Sequence, residues 1–324
     1  MSILCESQVE CLKKHFEEVI LSDRIMRDTI ICYDGFEPSG KLHISQCLTR
    51  IANIAKLYEI FNGKILFIIL LADVHAKLNL KLNGDDELIE NECVNIINTF
   101  TKYILKLAPQ LIDKVEFKRV SSYMYTEEYM KIVFDLSLKV NMNRINKCIQ
   151  IMGRNDKETL TCSQILYPIM QIADMIYLNI DIAQLGMDQR KVNMLAIELL
   201  GRNSPVMIHH KMLMSLRFNT DEAFGISNIQ KSSKSDPLSA IFMNDTRESI
   251  ETKIMSAFCG ENPVNPITEI LREVVFKFYE HMVVDGYYVV YDNVHEMYTF
   301  LDRKSFKLEV IENLISLIHS ENYH

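Results

Sequence analysis

No two of the eight cysteines stand in a CxxC spacing. They are scattered at positions 5, 11, 32, 47, 93, 148, 162 and 259, so neither a structural zinc site nor a disulfide framework is expected. The simplest reading is reduced thiols in the cytoplasm and no resident metal. Positive charge is not in excess either: 35 Lys and Arg against 43 Asp and Glu leave a formal net charge of −8. That excludes a bulk coat for nucleic acid and confines any nucleic-acid contact to a local basic patch. The longest apolar run, Ile65 to Ala72, is too short to span a bilayer, so no membrane partner is expected. Glu6, Glu10, Lys13, Lys14 and Glu17 interrupt the amino-terminal stretch, which argues against a signal peptide. Internal repeats and low-complexity tracts are absent. So is GxGxxG, which disfavours a dinucleotide site. Ser39-Gly40-Lys41-Leu42 ends like a P-loop, but the upstream glycine is misplaced and Leu42 stands where Ser or Thr would bind magnesium.

What is present is an ordinary globular composition, 48% hydrophobic and 24% charged over 324 residues, enough for one large domain and a small one. Residues 5–22 have helical periodicity. Thr29 to Phe36 and Ile65 to Val74 read as strands, the second nearly all apolar as in a parallel sheet covered on both faces. His43 to Phe61 between them reads as a helix, so the first third is a βαβ unit. Helices follow at 87–107 and 127–151, with a strand at 115–120 between them. Asp181 to Leu185 and Pro205 to His209 are further strands. They flank a helix over 188–200 with Asp188 placed as N-cap. This alternation predicts an α/β fold, a doubly wound, Rossmann-like parallel sheet over residues 1–245. Residues 218–235 read as a loop. From 246 to 324 the pattern predicts a smaller, mainly helical carboxy-terminal domain, with a strand-like run at 287–291.

The chemistry concentrates in Tyr167-Pro168-Ile169-Met170-Gln171-Ile172-Ala173-Asp174. On a helix, Tyr167, Gln171 and Asp174 share one face, while the neighbours suit a core. Lys and Arg are absent from Ser163 to Gly186, so a buried Asp174 needs donors from elsewhere. Either the face meets solvent or other strands, or a ligand with an ammonium group and a hydroxyl completes it. Four segments fall at the carboxyl ends of strands, where such sheets bind ligands: Tyr33 to Gln46, Ala72 to His75, Gly186 to Gln189, and the loop carrying Lys231-Ser232-Ser233-Lys234-Ser235. Gly40 permits close backbone approach, and His43 opens a helix whose NH groups attract phosphate. Taken singly, each has a bland reading: a surface histidine, a helix cap, a solvated linker.

Taken together and in order, they resemble the tyrosyl-tRNA synthetases of the class I, archaeal and eukaryotic branch. Tyr33-Asp34-Gly35-Phe36-Glu37-Pro38-Ser39-Gly40-Lys41-Leu42-His43-Ile44 is similar to the entry into the HIGH motif, and Lys231 to Ser235 to the KMSKS loop. Leu70 to Ala76, Tyr167 to Asp174 and Leu185 to Lys191 match the substrate-pocket segments. The resemblance runs from about residue 31 to 260 and implies a helical anticodon-binding domain beyond. It implies a tyrosine–tRNA ligase that uses ATP, with Mg2+ carried on the nucleotide, and acts as a homodimer on tRNA. Tyr33 and Asp174 then bind the substrate phenol. Tyr167, Gln171 and Gln189 face its ammonium end, with Asp73 and His75 in the same pocket. Gly35, Glu37, Gly40, His43, Gln46, Gly186 and Asp188 belong to the ATP site, and Lys231 and Lys234 stabilise departing pyrophosphate. Arg190 and Lys191 contact the acceptor end of tRNA.

Two motifs depart from the family. The HIGH motif reads His43-Ile44-Ser45-Gln46, and Gln46 donates a hydrogen bond but does not titrate. The KMSKS motif reads Lys-Ser-Ser-Lys-Ser, without its packing methionine but with both lysines. Two alternatives therefore stand beside the ligase: a catalytically silent paralogue that binds tRNA or protein, and a tryptophan-specific sister enzyme. The Tyr33/Asp174 pair disfavours the latter, because indole offers one donor and no acceptor.

Overall fold

A computed structural model describes residues 4–24, 26–148, 161–218 and 238–319. Lys231 and Lys234, and the predicted helix end at Gly153, lie outside them. The chain divides into two compact units, Met1–Ser39 with Lys56–Asn98 and Gln110–Lys211, and Gly40–Ala55 with Thr99–Pro109 and Met212–His324.

The strands of the first unit are β1 (Glu18–Ile20), β2 (Ile30–Phe36), β3 (Ile65–Leu71), β4 (Val115–Arg119), β5 (Ile182–Gly186) and β6 (Val206–His210). They form one six-stranded sheet in the order β1-β6-β5-β2-β3-β4. All neighbours are parallel except β1, which runs antiparallel to β6. From β2 the chain winds one way through β3 and β4, then returns to β5 and β6 on the other side, so the order reverses between β2 and β5. This is the expected doubly wound architecture. The helices in chain order are α1 (Glu6–His15), α2 (Arg50–Ile60), α3 (Asp73–Leu78), α4 (Asp86–Leu107), α5 (Glu127–Ser137), α6 (Met142–Cys148), α7 (Cys162–Tyr177), α8 (Arg190–Leu200), α9 (Arg247–Ser256), α10 (Pro266–Glu273), α11 (Val294–Tyr298) and α12 (Arg303–His319). No described helix is long and apolar enough to cross a membrane.

Four expectations are corrected. Residues 5–22 are not one helix: α1 stops at His15, and Glu18 to Ile20 leave it to pair with Met207 to His209. A helical pattern there yields to backbone bonds at a sheet edge. The helix expected over 127–151 breaks into α5 and α6, with β-branched Val140 at the break and Asn141 Oδ1 accepting from Arg144 N at 3.1 Å. The strand after Ile65 ends at Leu71: Ala72 leaves the extended conformation as N-cap of α3, whose first residue, Asp73, accepts from Val74 N through Oδ1 (2.9 Å). Asp188 is not the N-cap of the next helix; it lies in a short 3-10 turn, Met187–Gln189, ahead of α8.

One buried ion cluster ties β2 to β5 at their amino ends. Asp181 is fully buried; its carboxylate accepts from Arg24 Nε (2.9 Å) and from Ile31 N (2.9 Å), and Arg27 Nε stands 3.4 Å away. In the second unit β7 (Met282–Val284) and β8 (Tyr287–Val289) form a hairpin among α9 to α12. Two buried lysines organise that unit. Lys253 Nζ reaches Ala240 O at 3.0 Å and Asp245 at 2.6 Å, and Lys307 Nζ donates to Met255 O and Ala257 O at 2.9 and 2.7 Å. Residues 40–55 join it: Ile44 N donates to Ile241 O, and Met243 N to Leu42 O, both at 2.9 Å.

Asp181→Ala removes the buried charge partner of the half-buried Arg24 and leaves a strand NH unpaired, so it should destabilise the protein by about 3 kcal/mol, read as a lower urea midpoint at unchanged m-value.

Candidate active site

β2 and β5 are paired at Cys32–Ile182 and Tyr33–Ala183 and part beyond them, which opens the crevice at their carboxyl ends. α7 lies against it. Its start is set by a capping box: Thr161 Oγ1 accepts from Gln164 N, and Gln164 Oε1 accepts from Thr161 N at 3.0 Å. The helix then presents the expected face, with Tyr167 and Asp174 buried and Gln171 half-buried.

Asp174 is 1% exposed and does not lack donors. Its Oδ1 accepts from the hydroxyls of Tyr123 (2.8 Å) and Tyr129 (2.9 Å). Tyr129 OH also lies 3.2 Å from Met170 O. Oδ2 is 3.3 Å from His75 Nε2, close but not aligned as a hydrogen bond. Burial pushes the Asp174 carboxyl up to about 7; the two phenols pull the other way, and the charge of Asp73 adds to the rise. Burial pushes His75 down to about 4, so its ring is neutral at pH 7. That ring stands edge-on to Tyr167, with centroids 4.9 Å apart.

Tyr33 is equally buried, and among the described residues its hydroxyl has no well-aligned hydrogen-bond partner, although Gln171 is near. Burial and the charges of Asp174 and Asp34 hold its phenol protonated, far above the ordinary range. Gln171 Nε2 donates to Gln189 Oε1 at 3.2 Å, which links α7 to the segment after β5. Glu37 accepts from Asn79 Nδ2 (2.9 Å), faces Lys81 Nζ (3.6 Å) and acts on the Tyr167 phenol. Thus Tyr33, His75, Tyr167, Gln171, Asp174, Gln189 and Glu37 all fall within the first unit. An uncharged histidine, several phenols, two amides and two carboxylates suit a polar aromatic ligand.

Asp73 is engaged elsewhere. Its carboxylate holds Val74 N, Ser121 N (3.0 Å) and the Ser121 hydroxyl, and so pins the turn after β4. Asp188 is near enough for its charge to act on Tyr167 and His209. Gly35 and Gly186 have ordinary backbone angles or room for a side chain, whereas Gly40 has φ +113°, a region that strains any other residue. Arg190 Nε donates to both Glu18 oxygens at 2.9 Å, and Glu18 also reaches His209 Nδ1 at 2.9 Å; Lys191 is exposed. Gly40, His43 and Gln46 belong to the second unit. There Gln46 Oε1 accepts from His43 N at 3.4 Å, and Ser45 is buried with a hydroxyl unpartnered among the described residues.

Tyr123 and Tyr129 were not among the candidates. Each is separated from Asp174 by more than forty residues, and no local spacing signals the meeting. The one available sign was negative: a carboxylate in an apolar helix with no cation nearby in sequence.

The family model described as tRNA synthetases class I (W and Y) matches residues 26–305. Over 284 residues the chain is 37% identical to the cytoplasmic tyrosine–tRNA ligase 1 of Arabidopsis thaliana, an alignment that takes in 85% of this chain and 69% of that one. The fold superposes on tyrosyl-tRNA synthetase of Leishmania major in complex with tyrosinol with a TM-score of 0.84 and 30% identity. That match covers 98% of this chain and 49% of the other, so this chain spans about half its length. The enzyme of Pyrococcus horikoshii complexed with L-tyrosine matches at a TM-score of 0.82 and 28% identity, over 97% of this chain and 94% of that one.

A carboxyl that titrates near 7 when folded, against about 3.9 when unfolded, binds its proton more tightly in the native state. Its contribution is favourable below the unfolded value and is lost as pH rises through the folded one. His75, shifted down, acts in the opposite sense over about pH 4 to 6.5. The difference between Asp174→Asn and wild type isolates the first effect. It should swing in favour of the variant by on the order of 4 kcal/mol between about pH 4 and 8, read from unfolding of the unliganded protein.

Proposed function

We propose that this chain, which belongs to the class I tRNA synthetases and within them to the tyrosine–tRNA ligases, activates tyrosine with ATP and passes the tyrosyl group to the 3′ end of tRNA. The observation that carries the reading is that Tyr33 and Asp174, both 1% exposed, lie close enough for the carboxylate charge to act on the phenol, with Tyr33 in the last pair before β2 and β5 part. There they can hold a phenol away from water. Gln171, Gln189 and Tyr167 supply amides and a hydroxyl for the ammonium end.

The chemistry asks little of any side chain. A carboxylate oxygen of tyrosine attacks the α-phosphorus of ATP, the bond to the bridging oxygen of pyrophosphate breaks, and tyrosyl-adenylate forms. A ribose hydroxyl at the tRNA end then attacks the tyrosyl carbonyl and AMP leaves. Catalysis is positioning and charge stabilisation. Mg2+ arrives with ATP. The ATP-handling roles of Gly35, Glu37, Gly40, His43, Gln46, Gly186, Asp188, Lys231 and Lys234 follow from the family, as do those of Arg190 and Lys191 towards the tRNA acceptor end and of residues 246–324 towards the anticodon. Eight unpaired cysteines fit a cytoplasmic enzyme.

Two copies of the chain pair as a homodimer. Phe134 and Leu138, one turn apart on α5 and its end, are 61% and 86% exposed, with Tyr125 and Met142 nearby in sequence and also exposed. An apolar stripe of this kind is costly in water and suits an isologous contact. Leu138→Asp should yield monomers by sedimentation with the far-UV spectrum unchanged.

Tyrosine-dependent ATP–pyrophosphate exchange tests the activity. Exchange with tyrosine, and none with tryptophan, is expected. Binding of tyrosine and ATP without pyrophosphate release would instead identify a silent paralogue. Asp174→Asn should lower the preference for tyrosine over phenylalanine by about a hundredfold, since the charged acceptor for the phenol is gone.

A further inference from the structure

Tyr123 and Tyr129 lie outside every motif named above, yet their hydroxyls meet on a single atom. Asp174 Oδ1 accepts from both, at 2.8 and 2.9 Å, while among the described residues Oδ2 has only the misaligned His75 ring at 3.3 Å. Two donors on one oxygen fix the rotation of the carboxylate. They also offset part of the cost of keeping its charge in a buried site. The donors are themselves held. Tyr123 stacks on Tyr177 with centroids 4.7 Å apart and planes 17° apart, and meets Tyr129 edge-on at 5.3 Å; Tyr129 meets Tyr177 edge-on at 5.7 Å. If these rings only filled space, phenylalanine would serve as well, and a buried hydroxyl costs free energy unless it is bonded.

We propose that Tyr123 and Tyr129 are positioning residues for amino-acid specificity: by occupying Oδ1 they orient Asp174 so that Oδ2 is left for the substrate, whose phenol hydroxyl completes the carboxylate. The proposal rests on the reading of this pocket as the tyrosine site. A bound phenylalanine leaves Oδ2 without its donor, and that unmet acceptor is the source of discrimination. Were one of the phenols missing, the carboxylate would be free to rotate or take up a proton, and rejecting phenylalanine would become easier to evade.

The test compares Tyr123→Phe and Tyr129→Phe, each lacking one hydroxyl, with Tyr177→Phe, which alters the ring cluster but removes no bond to Asp174. Pyrophosphate exchange gives kcat and the KM values for tyrosine and ATP. The same assay with phenylalanine gives the ratio of kcat/KM between the two amino acids. Each of the first two variants should raise the KM for tyrosine about tenfold and lower the ratio about tenfold, with kcat and the KM for ATP within about twofold of wild type. Tyr177→Phe should match wild type. An unchanged ratio, or kcat and both KM values shifting together with a fall in melting temperature, overturns the proposal. If Tyr129→Phe does not fold, Tyr123→Phe alone decides. A wild-type protein without tyrosine-dependent exchange overturns the functional reading and this proposal together; an active wild type with indifferent variants overturns only this proposal.

Discussion

A carboxylate at 1% exposure on an apolar helix has to be given hydrogen-bond donors, and the first unit is arranged to provide them. The segment after β4 supplies two phenols, α3 supplies a neutral imidazole, and β2 places a third phenol alongside. Asp73 contributes at one remove. It holds the Ser121 turn, just before Tyr123, and its negative charge raises the Asp174 carboxyl. The site therefore combines a poorly solvated acceptor with nearby phenols that remain protonated. Such a setting favours a ligand that is aromatic and carries its own hydroxyl.

The sheet makes that setting possible by being locked at one end and parted at the other. At the amino ends of β2 and β5 the Asp181 carboxylate bonds Ile31 N and Arg24, so the strands are clamped. One residue further along they pair, and after Tyr33–Ala183 they separate. The reversal of strand order puts no other strand into the gap. The short antiparallel β1 closes the far edge, and through Glu18 it also anchors Arg190 and His209. One three-residue strand thus protects an edge and fixes an arginine at the start of α8.

The second unit uses buried lysines where a core would usually avoid them. Lys253 and Lys307 each satisfy backbone carbonyls, and Lys253 also pairs with Asp245. The segment that Lys253 holds is the one whose backbone pairs with Leu42 to Ile44. His43 accordingly sits on a short ladder, and the glutamine at the end of its altered motif turns back to its own backbone.

Much of this molecule could be read directly from residue order. The all-apolar strand at Ile65–Leu71, the polar stripe Tyr167/Gln171/Asp174, the glycine at position 40 and the alternation of strands and helices are local patterns, written at a period of 2 or 3.6. Those patterns, with the motif segments in their order, determined the doubly wound architecture and the candidate pocket. Tertiary structure alone decided the rest. Val19 and Ile20 became a strand because a sheet edge was there to pair with, the helix after Glu127 broke where Asn141 capped a new start, and Asp73 turned to Ser121 instead of the pocket. Asp174 found Tyr123 and Tyr129. Each of these outcomes depends on a group brought close by folding, or on a cap competing with helix continuation, and periodicity records neither.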